Sequence, residues 1–206
     1  MAPTSAERLW LEALQRLADL AAHEIKNPLN GLAVNLEVVR GRAERGGADA
    51  SSLARFAGAA AEELQRATAL IEALLALARP ARMPIDLWMV LQPLVALHAA
   101  IAAPEGGEVL LDRPAELVVE TGADATAVRL AVASALERVA RTGAAIRCTV
   151  EARDGGVAVN VLGAPAEPLA DDVRAALDRA GIGVERAPNG LKLLFAPAGR
   201  EGPTTV

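Results

Sequence analysis

The first 80 residues constrain the fold most. Apolar side chains recur there at steps of three or four: Trp10, Leu14, Leu17, Ala21, Ile25, Pro28, Leu32, Leu36 and Val39. That spacing lines one face of a helix. A glycine-rich break follows, Gly41 through Gly47. Beyond it Leu53, Ala57, Ala60, Leu64, Ala67, Ile71, Leu74 and Ala78 alternate four-three without an error, a sustained heptad seam. Ser5 offers an N-cap to the first helix, and Pro80 and Pro84 stop the second. Two long helices joined by a short turn form an antiparallel hairpin. Each carries a wide apolar stripe with no third helix to cover it, so the pattern predicts a homodimer closing into a four-helix bundle.

Composition supports such a fold and excludes others. Apolar residues make up 52% of the 206 but aromatics only 2%, so the core must be built from Ala, Leu and Val. Alanine loses no side-chain entropy in a helix. The net charge of -5 argues against a nucleic-acid partner, which a basic patch would mark. A single cysteine, Cys148, leaves neither an internal disulfide nor a cysteine metal cluster. The N-terminus lacks the basic-then-apolar order of a signal peptide. The stretch from Leu87 to Pro104 carries no formal charge, yet Gln92, Pro93 and His98 make it a buried core helix rather than a membrane span. A cytoplasmic protein without membrane contact is expected.

After Met83 the texture changes. Helices are expected at 87–103, 124–141 and 168–180, the last closed by Gly181. Strands are expected at 108–112, 116–120, around Ile146–Val150, around Val157–Val161 and at 190–196, with a hairpin turn at Asp154-Gly155-Gly156. The expected domains are a hairpin over 1–80, a mixed α/β unit over 84–198 with its helices on one face of the sheet, and a flexible tail over 199–206.

One stretch carries chemistry: His23-Glu24-Ile25-Lys26-Asn27-Pro28-Leu29-Asn30. On the helix, His23 falls opposite the buried direction, with Asn27 one turn on and Asn30 pointing the same way. An outward histidine is open to a macromolecule, and its neutral ring nitrogen is nucleophilic near pH 7. Glu24 can orient the ring or take its other N–H. Asn27 can position a phosphoryl oxygen or a water, and Pro28 removes one helical hydrogen bond just below the histidine.

In order and in context this stretch resembles the H-box of sensor histidine kinases of two-component signalling. The resemblance implies a dimerising HisKA-type hairpin in which His23 is the phosphoacceptor, Glu24 assists phosphoryl transfer and Asn27 helps the reverse reaction. Lys26, Pro28 and Asn30 complete the motif as secondary positions. It also implies a following ATP-binding domain, an α/β sandwich of the GHKL type. There the N-box should supply two asparagines four residues apart, the second a magnesium ligand. Ser134 and Arg138 stand at those positions. The aspartate that should hold adenine is replaced by Gly163, and no glycine-rich lid follows. Asn189-Gly190-Leu191-Lys192-Leu193 is faintly similar to a second glycine box but fits the final strand better.

The whole chain therefore resembles a histidine kinase whose ATP-binding domain is degenerate and reduced. The expected function is a histidine phosphotransferase of a phosphorelay, which exchanges a phosphoryl group between His23 and receiver-domain aspartates of response regulators. No tightly bound cofactor or metal is expected, with Mg2+ supplied by the receiver. Alternatives are an ATP-dependent kinase, a pseudokinase, or a phosphatase acting on a response regulator. With no sensor region evident before the hairpin, input is expected through another chain. Among the remaining residues, His98 reads as a satisfied core histidine, Cys148 as a buried hydrophobe, and Asp171-Asp172 as the acidic start of a helix.

Overall fold

The computed structural model describes residues 4–45, 49–80, 84–103, 106–112, 120–141, 145–153 and 156–198. The expected tail (199–206), most of the strand at 116–120, the turn residues Asp154 and Gly155, and Gly46 and Gly47 of the break lie outside them.

Helices α1 (Ser5–Arg45) and α2 (Ala50–Ala78) form the hairpin. At 1.5 Å per residue α1 is roughly 60 Å long. Two details differ from expectation. The N-cap is Thr4, not Ser5: Glu7 N–H donates to Thr4 Oγ1 at 3.2 Å and Thr4 N–H to Glu7 Oε2 at 2.6 Å, a reciprocal capping box. The helix also runs through Gly41 to Arg45, because one helical glycine costs only about 1 kcal/mol. Asp49 caps α2, accepting from Ser51 N–H at 3.2 Å.

Both helices bury a face rotated from the one the apolar spacing marked. In α1 the buried side chains are Ala6, Leu9, Trp10, Ala13, Leu17, Ala21 and Pro28, while Leu36 is exposed. In α2 they are Ala60, Ala67, Leu70, Ala73 and Leu77, while Leu64 and Ile71 of the heptad seam are exposed. The reason is that α1 contacts more than its hairpin partner. Its first turns also pack on helices of the second unit, so burial shifts toward Ala6, Leu9 and Ala13.

The second unit begins with β1 (Ile85–Asp86) and α3 (Leu87–Ala102), whose N-cap Asp86 accepts from Trp88 N–H at 2.8 Å. Next come β2 (Val109–Asp112), β3 (Glu120–Thr121) and α4 (Ala125–Ala140), the last capped by Asp124 on Ala127 N–H at 2.9 Å. Strands β4 (Ile146–Arg153) and β5 (Gly156–Leu162), helix α5 (Asp171–Arg179), and strands β6 (Gly183–Ala187) and β7 (Gly190–Phe195) complete it. The five-stranded sheet has the order β2-β4-β5-β7-β6, parallel between β2 and β4 and antiparallel elsewhere. β1 and β3 pair separately.

Strand alternation sorts the two faces. Ile146, Cys148, Val150, Val157, Val159, Val161, Leu191, Leu193 and Phe195 are buried in the core with α3 and α4. The opposite face carries a polar ladder, with Arg147–Asp112 at 2.7 Å, Asn160–Thr149 at 3.1 Å and Lys192–Glu151 at 3.3 Å. Cys148 is fully buried and burial pushes its thiol up to about 12, so it is an inert apolar group. α3 is a core helix, and among the described residues no helix is long and apolar enough to cross a membrane.

A single core runs from α1 and α2 through α3 and α4 into the sheet. Arg129 of α4 reinforces the joint by donating from its guanidinium to the Arg79 carbonyl at the C-cap of α2, at 2.7 Å.

Candidate functional site

His23 lies near the middle of α1 and is exposed, as are Lys26, Asn27 and Asn30. Glu24 is half-buried, and Pro28 is buried. Among the described residues no side-chain hydrogen bond or ion pair engages His23, Glu24, Lys26, Asn27 or Asn30. The imidazole and the two amides therefore form an open polar face, backed by the packed face that Pro28 helps to build. α1 continues unbroken through Pro28, which has no N–H to give to the carbonyl of Glu24. That carbonyl lies one residue from the histidine. Two turns further, a Cβ on Gly31 would lie 3.4 Å from the Glu63 side chain of α2, so the hairpin is in close contact below the site.

The positions at which the H-box resemblance implies nucleotide and metal ligands do not fit them. Ser134 and Arg138 lie on α4 and line a cleft of about 380 Å³. Leu9, Glu12 and Arg16 of α1 form one wall of it, and Asp172 of α5 stands on another. Arg138 pairs with Glu167 at 3.3 Å, so a guanidinium stands at the position where the resemblance calls for a metal-binding oxygen. Arg16 of α1 reaches Glu137 at 3.6 Å, and Arg141 reaches the same carboxylate at 2.6 Å. Gly163 has no room for a side chain: a Cβ would lie 2.8 Å from the Ala145 carbonyl oxygen and 2.9 Å from Val139 Cγ1. Asn189 and Gly190 belong to the β6–β7 hairpin, and Asn189 accepts from Gly163 N–H at 2.7 Å. A side chain at Gly190 would collide with the Val161 carbonyl oxygen. Asp171 and Asp172 fall in the first turn of α5, as expected.

His98 departs from its expected role. It is buried, but its Nε2 has no hydrogen-bond partner, so it is not a satisfied core histidine. Burial lowers its pKa to about 4 against a weaker opposing pull from Glu137. The sequence reading also missed the docking of the first turns of α1 on α4. Its one local signal is the extra apolar set Ala6, Leu9 and Ala13 beside the main stripe.

The family model of the His Kinase A (phospho-acceptor) domain matches residues 13–82. No curated protein matches the sequence. Among solved structures, the histidine kinase ThkA, crystallised in complex with the response regulator protein TrrA, is similar with a TM-score of 0.44 and 16% identity. That similarity covers 92% of this chain, which spans 63% of the ThkA chain. Acinetobacter baumannii histidine kinase AdeS gives 0.43 and 12%, over 86% of this chain and 98% of that one. A bacterial phosphotransferase gives 0.38 and 18%, over 89% and 95%. The His Kinase A (phospho-acceptor) domain model thus matches about a third of the chain, with His23 among the matched residues.

Proposed function

We propose that the protein is a homodimeric histidine phosphotransferase of a two-component phosphorelay. The lone pair of a neutral ring nitrogen of His23 attacks the phosphorus of a receiver-domain aspartyl phosphate. A nitrogen–phosphorus bond forms as the acyl phosphate oxygen–phosphorus bond breaks, and the receiver aspartate leaves as a carboxylate. Glu24 holds the proton on the other ring nitrogen and offsets the charge that develops there. Asn27 positions a phosphoryl oxygen. Transfer to a second receiver runs the same steps backwards. Positioning and charge stabilisation supply the catalysis, with magnesium brought by the receiver.

The observation that carries this reading is the pairing of an exposed, unengaged His23 in a phospho-acceptor domain with a second unit unsuited to ATP. Three features weigh against a nucleotide. Arg138 is ion-paired where a metal ligand is needed, Gly163 has no room for an adenine-binding side chain, and α1 lies over the face of α4 that carries Ser134. A docked α1 also argues against the free swing that a catalytic domain needs to reach a histidine on the hairpin. Apolar side chains left outside favour the dimer: Leu11, Leu29 and Leu36 along one side of α1, with Leu64, Ile71 and Leu75 along one side of α2.

Labelling tests the reading directly. Purified protein incubated with γ-labelled ATP and magnesium should take up no label. A phosphorylated receiver domain should label the wild-type chain but not His23→Gln. Uptake from ATP at His23 would make the protein a kinase and sink the proposal.

A further inference from the structure

A cleft of about 360 Å³ opens where the end of α2 meets the start of α3 and the side of α4. None of its lining residues belongs to the His23 face of α1, so phosphoryl transfer does not use it. Ala76, Ile85, Met89 and Val90 give it apolar walls, and Arg79, Asp86 and Arg129 supply its polar groups. Met89 is 68% exposed, more than any other large apolar side chain among the described residues. Covering it would remove apolar surface from water.

The polar groups select an anion. Asp86 is engaged in capping α3, where it accepts from Trp88 N–H at 2.8 Å. Arg129 donates one guanidinium N–H to the Arg79 carbonyl at 2.7 Å. That bond fixes the guanidinium in the cleft and leaves its remaining donors for a ligand. Among the described residues neither Arg79 nor Arg129 is ion-paired. Arg129 is half-buried, and loss of water there lowers its pKa against a weaker opposing pull from Asp124. A partly dehydrated guanidinium gains most from a carboxylate, whose two oxygens match its planar fork. An inorganic anion would answer the charge but leave Met89 and the apolar walls uncovered.

Size completes the match. A cavity of roughly 150 Å³ holds benzene, so one of this volume takes about ten to twelve heavy atoms. We infer that the cleft binds a small amphipathic carboxylate, its head held by Arg79 and Arg129 and its apolar body lying on Ala76, Met89 and Val90. The flexible thioether of Met89 adapts to an alkyl chain or an aromatic ring alike. A bound molecule ties the end of α2 to α3 and α4, at the joint between the phosphoacceptor hairpin and the α/β unit. The inference does not rest on the phosphotransferase reading or on the direction of phosphate flow.

The chain has only three methionines, which keeps the readout simple. The full protein, ¹³C-labelled at its methionine methyls, is titrated with 3-phenylpropionate and separately with the neutral 3-phenylpropanol. The Met89 resonance, identified by its loss in Met89→Leu, should shift saturably with the carboxylate in the millimolar range or below. The alcohol should need concentrations about tenfold higher or more, since it forgoes the charge-assisted bonds. Arg129→Gln should weaken binding of the carboxylate by about tenfold. If that variant loosens the joint, Arg79→Gln keeps the test open. Its side chain is exposed and only its backbone carbonyl holds Arg129, so the fold should stand while affinity falls several-fold. Equal binding of acid and alcohol would overturn the anion site. So would a saturable shift that survives both arginine substitutions, or displacement of the carboxylate by an equal concentration of acetate. The absence of any saturable shift with 3-phenylpropionate would overturn it as well.

Discussion

His23 and Asn27 lie about one turn apart on the exposed side of α1, with Glu24 half-buried between them. If Asn27 positions water or a phosphoryl oxygen while His23 forms the bond, the two can be separated experimentally. Asn27→Ala should leave phosphate uptake from a receiver within a few-fold of wild type but slow dephosphorylation of that receiver by tenfold or more. Equal loss of both would mean that Asn27 acts only by holding the helix. His98 supports a prediction of a different kind. Its pKa is about 4 in the folded chain against 6.5 for the free side chain, so the unfolded state binds the proton first as pH falls. Stability from keeping the ring neutral is therefore fully present above about pH 6.5 and is lost progressively down to about pH 4. The total is on the order of 3 kcal/mol. Glu137 of α4 and Arg16 of α1 face the same cavity as His98. Urea midpoints between pH 7.5 and 5 should fall more steeply for wild type than for His98→Leu. Parallel slopes would place the titration elsewhere.

At the scale of elements, the outward placement of the candidate residues was legible because its determinants are local. The H-box sits within one helix, and helical geometry alone sends His23, Asn27 and Asn30 outward. The long helices and α3 and α4 were legible for the same reason, since a period near 3.6 repeated over many residues leaves little ambiguity. β6 was missed because Gly183–Ala187 contains two charged residues and one β-branched one, too few for a strand pattern. Its existence depends on pairing with β7, and the only local cue was the Asn189-Gly190 turn. The two-residue β1 likewise exists only through β3. Gly163 yields the prediction at this scale. Restoring the aspartate that the ATP-binding resemblance calls for, as Gly163→Asp, should lower Tm by several degrees without creating nucleotide binding. The new Cβ has to push against the Ala145 carbonyl and Val139. A stable variant that gains ATP affinity would show that the strand end can accommodate the nucleotide site.

For the whole molecule, the question is what covers the apolar side chains that the single chain leaves outside. Leu29 and Leu11 point the same way along α1, and Leu64, Ile71 and Leu75 share a face of α2. If a second copy covers them, Leu29→Arg combined with Ile71→Arg should convert a dimer to a folded monomer in sedimentation equilibrium. An unchanged mass would move the interface elsewhere. The sequence by itself determined the hairpin, the outward histidine and the residues that stand where the resemblance calls for nucleotide motifs, because each depends on residue identity and on spacing within a few helical turns. Only the tertiary structure decided which faces of α1 and α2 are buried, that α1 lies across α4, and that His98 ends with an unpaired nitrogen beside a cavity. Those outcomes depend on elements far apart in the chain competing for the same apolar surface. Periodicity says that a helix has an apolar face, but not which of two available neighbours will cover it.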